Sequence, residues 1–66
     1  MMNIRYVITA YNSKKDRSSV VRKEASSQKK AEGIANGLLK ENEQVFISRY
    51  IQEGDQGFIQ QWCRKY

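Results

Sequence analysis

Apolar positions in this chain recur first in alternation, then at a spacing of three to four, then in alternation again. In NIRYVITAY (3–11), Ile4, Tyr6, Ile8 and Ala10 fall on one side, with Arg5, Val7, Thr9 and Tyr11 on the other. That is the pattern of a strand with two unlike faces. NSKKDR (12–17) supplies turn residues. SSVVRKE (18–24) then reads as a short second strand, paired with the first in a hairpin. Val20 and Val21 are adjacent, so one of them faces inward, and the pattern leaves open which.

Ser26 or Ser27 can cap a helix by accepting a bond from a free backbone N–H. Ala31, Ile34, Ala35, Leu38 and Leu39 then form an apolar stripe with helical spacing. GIANG (33–37) interrupts this stretch with two glycines, each costing about 1 kcal/mol against alanine in a helix. It also contains Asn-Gly, a dipeptide typical of tight turns. Stopping at Gly37 would leave Leu38 and Leu39 continuing a periodicity to which they no longer belonged. The phase therefore predicts a helix from about Ser27 to Glu41, against the competing reading of Gly37 as a C-cap.

EQVFISRYI (43–51) returns to strand spacing. QEGDQG (52–57) is a hairpin connection, and GFIQQWCRKY (57–66) is a fourth strand. The predicted fold is a single α+β domain over residues 1–66, a four-stranded antiparallel sheet with one helix packed on one face, in the order β-β-α-β-β. One helix covers one face. Strict alternation places Ile4, Tyr6, Ile8, Val45, Ile47, Ile51, Ile59 and Cys63 beneath it. Arg5, Val7, Tyr11, Phe46, Tyr50, Phe58, Trp62, Arg64 and Tyr66 are left on the open face.

Composition narrows the chemistry. Sixty-six residues sit near the lower limit for folding without staples, and one cysteine closes no internal disulfide. Histidine is absent, which removes the commonest general base and the usual zinc sites. No carboxylates share a spacing that suggests a converging pair, and there is no glycine-rich phosphate loop. A small buried hydrophobe is the expected role of Cys63. These features argue against an enzyme and imply no cofactor and no metal. No apolar run reaches the roughly 20 residues of a membrane span, and the first residues lack a signal-peptide pattern. The expected location is cytoplasmic, with no membrane partner. Twelve Lys and Arg against seven Asp and Glu give a net charge of +5, which favours anionic partners.

Three surfaces follow. On the open sheet face, Arg5, Tyr11, Phe46, Tyr50, Phe58, Trp62, Arg64 and Tyr66, with Arg22 nearby, offer rings for base stacking and cations for phosphates. The same face could instead be buried in a homodimer or by another protein, or serve only as cross-strand packing. The helix's outer face carries Lys29, Gly33, Asn36 and Lys40, with Lys30 and Gly37 beside them. Between its lysines lies a strip where side chains are short or absent. Lys14, Lys15 and Arg17 make a third, basic cluster in the first loop.

The element order, the basic charge and the stretch EASSQKKAEGIANGL resemble a family of type I anti-CRISPR inhibitors, small phage and mobile-element proteins with two hairpins around one lysine-bearing helix. The resemblance implies a non-enzymatic inhibitor that occupies a nucleic-acid-binding surface of a CRISPR complex, with Lys29, Lys30 and Lys40 as contacts. No specific motif matches, and the Gly33/Gly37 pair is not a family feature. The sequence as a whole points to a non-enzymatic binding protein for a protein or nucleoprotein partner. Direct nucleic-acid binding through the sheet face is the alternative.

Overall fold

The computed structural model describes residues 2–12 and 20–66. Its elements are β1 (Met2–Tyr11), β2 (Val21–Ala25), α1 (Gln28–Leu38), β3 (Gln44–Glu53) and β4 (Ile59–Lys65). They form one antiparallel sheet in the spatial order β2-β1-β3-β4. The predicted order β-β-α-β-β is observed. The long strands β1 and β3 pair centrally over their whole length, Met2 opposite Glu53 and Tyr11 opposite Gln44.

Directly opposed residues on antiparallel strands share a face, so the register fixes where every side chain points. On the helix side, rows run Val21–Ala10–Val45, Lys23–Ile8–Ile47–Arg64, Ala25–Tyr6–Arg49–Trp62 and Ile4–Ile51–Ile59. Val21 is thus the inward valine, half-buried against the core, while Val20 is exposed. The buried cluster joins Tyr6, Ile8 and Ala10 of β1 and Val45 and Ile47 of β3 to Ala31 and Ala35 of α1. Two alanines at the helix contact let its axis approach the sheet closely. Ile34 and Leu38 flank them, half-buried.

GIANG lies wholly inside α1. The helix begins where expected: Ser27 has extended backbone angles and its Oγ accepts from the Lys30 N–H at 3.3 Å. It ends earlier than the predicted Glu41, at Leu38. There Asn42 donates both its backbone N–H and its side-chain Nδ2 to the Leu38 carbonyl, each at 3.0 Å. Leu39 is the cap residue and is 38% exposed, so it is not part of the core stripe. Asn12 Nδ2 donates to the Glu41 carbonyl at 2.8 Å and ties this turn to the end of β1. β3 runs two residues beyond its predicted end. Its turn into β4 places Gly54 at φ 63°, the left-handed region that glycine enters without penalty.

The main departure from strict alternation lies in β4. Arg49 opposes Trp62, but the next β3 residue, Tyr50, opposes Gln60. Gln61 is therefore an extra residue, a β-bulge that shifts the side-chain phase by one. Before it, Ile59 points to the helix side as predicted. After it, Trp62, Arg64 and Tyr66 lie on the helix side rather than the open face, and Cys63 moves to the open face. Trp62 packs on the core, its ring 6.2 Å from that of Tyr6. The Tyr66 hydroxyl donates to Glu32 on α1 at 3.3 Å. Cys63 is exposed, not buried.

Deleting Gln61 should remove the bulge and join Gln60 directly to Trp62, which stays opposite Arg49 on the helix side with its emission unchanged. Trp62→Ala, by contrast, should cost about 2–4 kcal/mol for this half-buried ring in urea denaturation. A red-shifted Trp62 emission on deletion would show that Gln61 is not the extra residue. Tyr66 yields a second expectation. Partial desolvation, then the Glu32 carboxylate and its hydrogen bond, raise the phenol above its ordinary pKa. The folded state therefore favours the neutral phenol. Its stabilising contribution is complete below about pH 10 and is lost as pH rises through the raised value. The stability difference between the native chain and Tyr66→Phe should be flat from about pH 7 to 9 and shrink above that range.

Candidate functional site

The open face is built by the residues that alternate away from α1. Its rows are Tyr11–Gln44, Arg22–Thr9–Phe46–Lys65, Glu24–Val7–Ser48–Cys63 and Arg5–Tyr50–Gln60. No second helix lies over it among the described elements. Tyr11 and Phe46 meet edge-on, with ring centroids 5.8 Å apart at 77°. The Tyr50 hydroxyl donates to Gln60 Oε1 at 3.3 Å. Arg5 lies over the Phe58 ring, 4.4 Å from its centroid. Val7 is only 6% exposed although it sits on this face. It forms the floor between Tyr50, Phe58, Arg5 and Arg22, and covering such a side chain is worth roughly 1.5–3 kcal/mol. The aromatics therefore do part of their work as cross-strand packing.

Beside this covered spot lies a shallow depression of about 550 Å³, bordered by Tyr11, Phe46, Tyr50, Arg22 and Cys63. Its electrostatics are set by three charges. Glu24 pairs with Arg5 at 3.6 Å and with Arg22 at 3.3 Å. All three side chains are about half exposed, and such pairs contribute at most about 1 kcal/mol. Two cations share one carboxylate, so the cluster stays net positive and either arginine can turn to a competing anion. Lys65 adds a further cation beside Phe46.

Of the residues predicted for this surface, Arg5, Tyr11, Phe46, Tyr50 and Phe58 come together here, with Arg22. Trp62, Arg64 and Tyr66 do not, because the bulge has moved them to the other face. Val7 lies there as alternation placed it, and the register adds Glu24, Lys65 and Cys63, which strict alternation either left out or placed wrongly. For the β4 residues only the bulge, which the sequence QQWC does not announce, separates the two assignments, whereas Glu24 follows from the β1–β2 register.

The helix's outer face is as predicted in composition. Lys29, Lys30, Gly33, Asn36, Gly37 and Lys40 are all exposed, Lys40 in the turn that follows α1. A methyl group added at Gly33 or Gly37 would meet no atom within 4 Å. The strip is open, and intramolecular packing does not demand glycine there. Lys14, Lys15 and Arg17 lie outside the described residues. Among the described residues no three His, Cys, Asp or Glu side chains converge as a metal site would require, and no helix is long and apolar enough to cross a membrane.

Because nothing in the fold occupies the strip, Gly33→Ala and Gly37→Ala should each stabilise the protein by about 0.5–1 kcal/mol. Urea denaturation of the two variants checks this, and a loss of stability in either would contradict the open-strip geometry. No family model, curated protein or solved structure matches the chain.

Proposed function

We propose that the chain is a non-enzymatic binding protein that engages a nucleic-acid-containing partner through its open sheet face. The observation that carries this reading is the juxtaposition of Tyr11, Phe46, Tyr50 and Phe58 with Arg5, Arg22 and Lys65 on a face that no described element covers. Neighbouring strands stand about 4.8 Å apart. Rings on β1 and β3 therefore lie at a spacing that unpaired bases can use, while the cations reach the phosphates between them. Each stacked base contributes roughly 1–3 kcal/mol and tolerates any base identity, so this surface suits a single strand, free or exposed in a nucleoprotein complex. The chain's net charge of +5 adds an attraction that weakens with salt.

A second reading places the contact on the helix. The open strip over Gly33 and Gly37, with Lys29 and Lys40 at its ends, is where a partner's backbone or phosphate could come close. This is also the surface that the anti-CRISPR resemblance implies, and a phage or mobile-element inhibitor of a host nucleic-acid-binding complex would use it in that way.

Cys63 supplies the discriminating measurement, since it is the chain's single cysteine and is exposed on the open face. A short pyrimidine oligonucleotide should bind at low salt, slow the alkylation of Cys63, and dissociate as salt rises. Phe46→Ser and Tyr50→Ser should each weaken binding about tenfold, in keeping with one lost stack. Lys29→Glu with Lys40→Glu should have a smaller effect on this binding, through net charge alone. The absence of any mobility shift at low salt would remove the sheet-face reading. Binding abolished by the lysine reversals, with Cys63 still reactive, would move the contact to the helix.

A further inference from the structure

On the helix-side face of the sheet, α1 stops short. Eleven helical residues span about 16 Å, whereas the ten residues of β1 span about 33 Å. Connectivity fixes which half is covered: α1 starts three residues after Ala25, opposite Tyr6, and returns to Gln44, opposite Tyr11. Burial follows that geometry. Ala10, Ile8 and Tyr6 are buried along β1, as are Val45 and Ile47 along β3. In the last row, Ile4 and Ile51 are only half-buried, and Ile59 on β4 is 58% exposed. Three aliphatic side chains side by side on three strands thus lie beyond the end of the helix, with Trp62 in the row behind them.

Two cations lie behind this row, Arg49 in the next row and Arg64 in the one after it. Arg49 stands between Tyr6 and Trp62, its guanidinium 5.8 Å from the Tyr6 ring centroid, and its Nε is buried without a hydrogen-bond partner. Arg64 lies 4.9 Å over the Trp62 ring. Neither has a carboxylate within ion-pair distance among the described residues, whereas Arg5 and Arg22 on the opposite face share Glu24. Of the nearby acids, Glu32 is held by Tyr66 and Gln28. Glu53, on the same face beyond Ile51, forms no ion pair with either arginine.

We propose that the bare end of the helix-side face, the Ile4–Ile51–Ile59 row with Trp62, Arg49 and Arg64, docks an acidic, apolar segment of a partner protein. Leucine- or isoleucine-like side chains would lie on the row, and carboxylates would meet the two guanidiniums. This surface is separate from the open face and does not rest on a function for that face. Charge complementarity selects the occupant. A second copy of this chain would bring two further unpaired arginines and a net +5 charge against the same spot. Bases find no flat partner on branched aliphatic side chains, and Trp62 already packs against Tyr6. A carboxylate satisfies an arginine fork with two parallel hydrogen bonds, a match that a partner offering only apolar groups lacks.

Trp62, the single tryptophan, reports on this face while its neighbour Cys63 reports on the other. The test is a random-peptide display selection on the immobilised full chain, counter-selected on Ile59→Ser/Arg64→Gln, whose substituted side chains are exposed and whose native fold is checked by circular dichroism. The expected peptides combine Asp or Glu with Leu, Ile or Phe. Made synthetically, they should shift Trp62 emission saturably, bind at least tenfold more weakly to Ile59→Ser and to Arg64→Gln, and leave Cys63 alkylation unchanged. Failure to enrich any peptide over the counter-selection would overturn the proposal. So would enriched peptides without carboxylates, or binding that protects Cys63. A Trp62 shift sensitive to Ile59→Ser but produced only by a short oligonucleotide, by phosphatidylserine vesicles or by self-association would overturn it too, in favour of that occupant.

Discussion

An eleven-residue helix has to shelter a sheet whose central strands run for ten residues each, and the shortfall governs much of the structure. The helix covers β2, β1 and β3 from the row of Tyr6 to the row of Ala10, where the buried cluster forms. One whole face and one end of the other are left to manage without it. On the open face Val7 is buried by rings and arginine stems drawn across from neighbouring strands. At the far end no such arrangement exists, and Ile59 stays exposed. A chain of this size stands on about 3–10 kcal/mol in total, so the small cluster around Ile8, Val45 and Ile47 carries a large share of what holds the fold together.

The bulge at Gln61 lets β4 serve both surfaces in sequence. With strict alternation, Trp62 would join the open face and the edge of the core beside Tyr6 would be empty. With one residue inserted, Ile59 and Trp62 both turn to the helix side, and the strand still ends with Tyr66 reaching Glu32 on α1. A bulge on an edge strand also interrupts the regular row of backbone donors and acceptors that would otherwise pair with another chain. The same irregularity therefore completes the core and makes the edge a poorer template for sheet extension.

Element order, strand pairing within hairpins and the helical state of GIANG were legible in the sequence because each rests on periodicity. The phase of Ile34, Ala35 and Leu38 outweighed the turn signal of Asn36-Gly37. Leu39 was misplaced because periodicity alone does not reveal that Asn42 closes the last turn onto Leu38. The inward choice between Val20 and Val21 needed the register, which pairs Val21 with Ala10. The placement of Trp62, Cys63, Arg64 and Tyr66 failed for a single reason: alternation propagates one phase, and a bulge resets it. Five of the eight residues predicted for the open face lie there: Arg5, Tyr11, Phe46 and Tyr50 because they sit on the long, regular central strands, and Phe58 because it precedes the bulge.

Two sets of arginines on opposite faces are held in different ways, a difference that the net charge does not reveal. Arg5 and Arg22 share Glu24 at the surface, where ion pairs are worth little and exchange readily. They are available to an anion without being idle when none is present. Arg49 and Arg64 rest instead on aromatic rings, a contact worth about 0.5–2 kcal/mol that leaves the guanidinium's hydrogen-bonding groups unmatched. The first pair can trade one partner for another at small cost, whereas the second gains hydrogen bonds that the chain itself does not provide. The glycines of α1 belong to the same argument. Their two missing methyl groups forgo about 1–2 kcal/mol of helix stability, a sizeable fraction of the total, on a face where nothing within the fold requires the space.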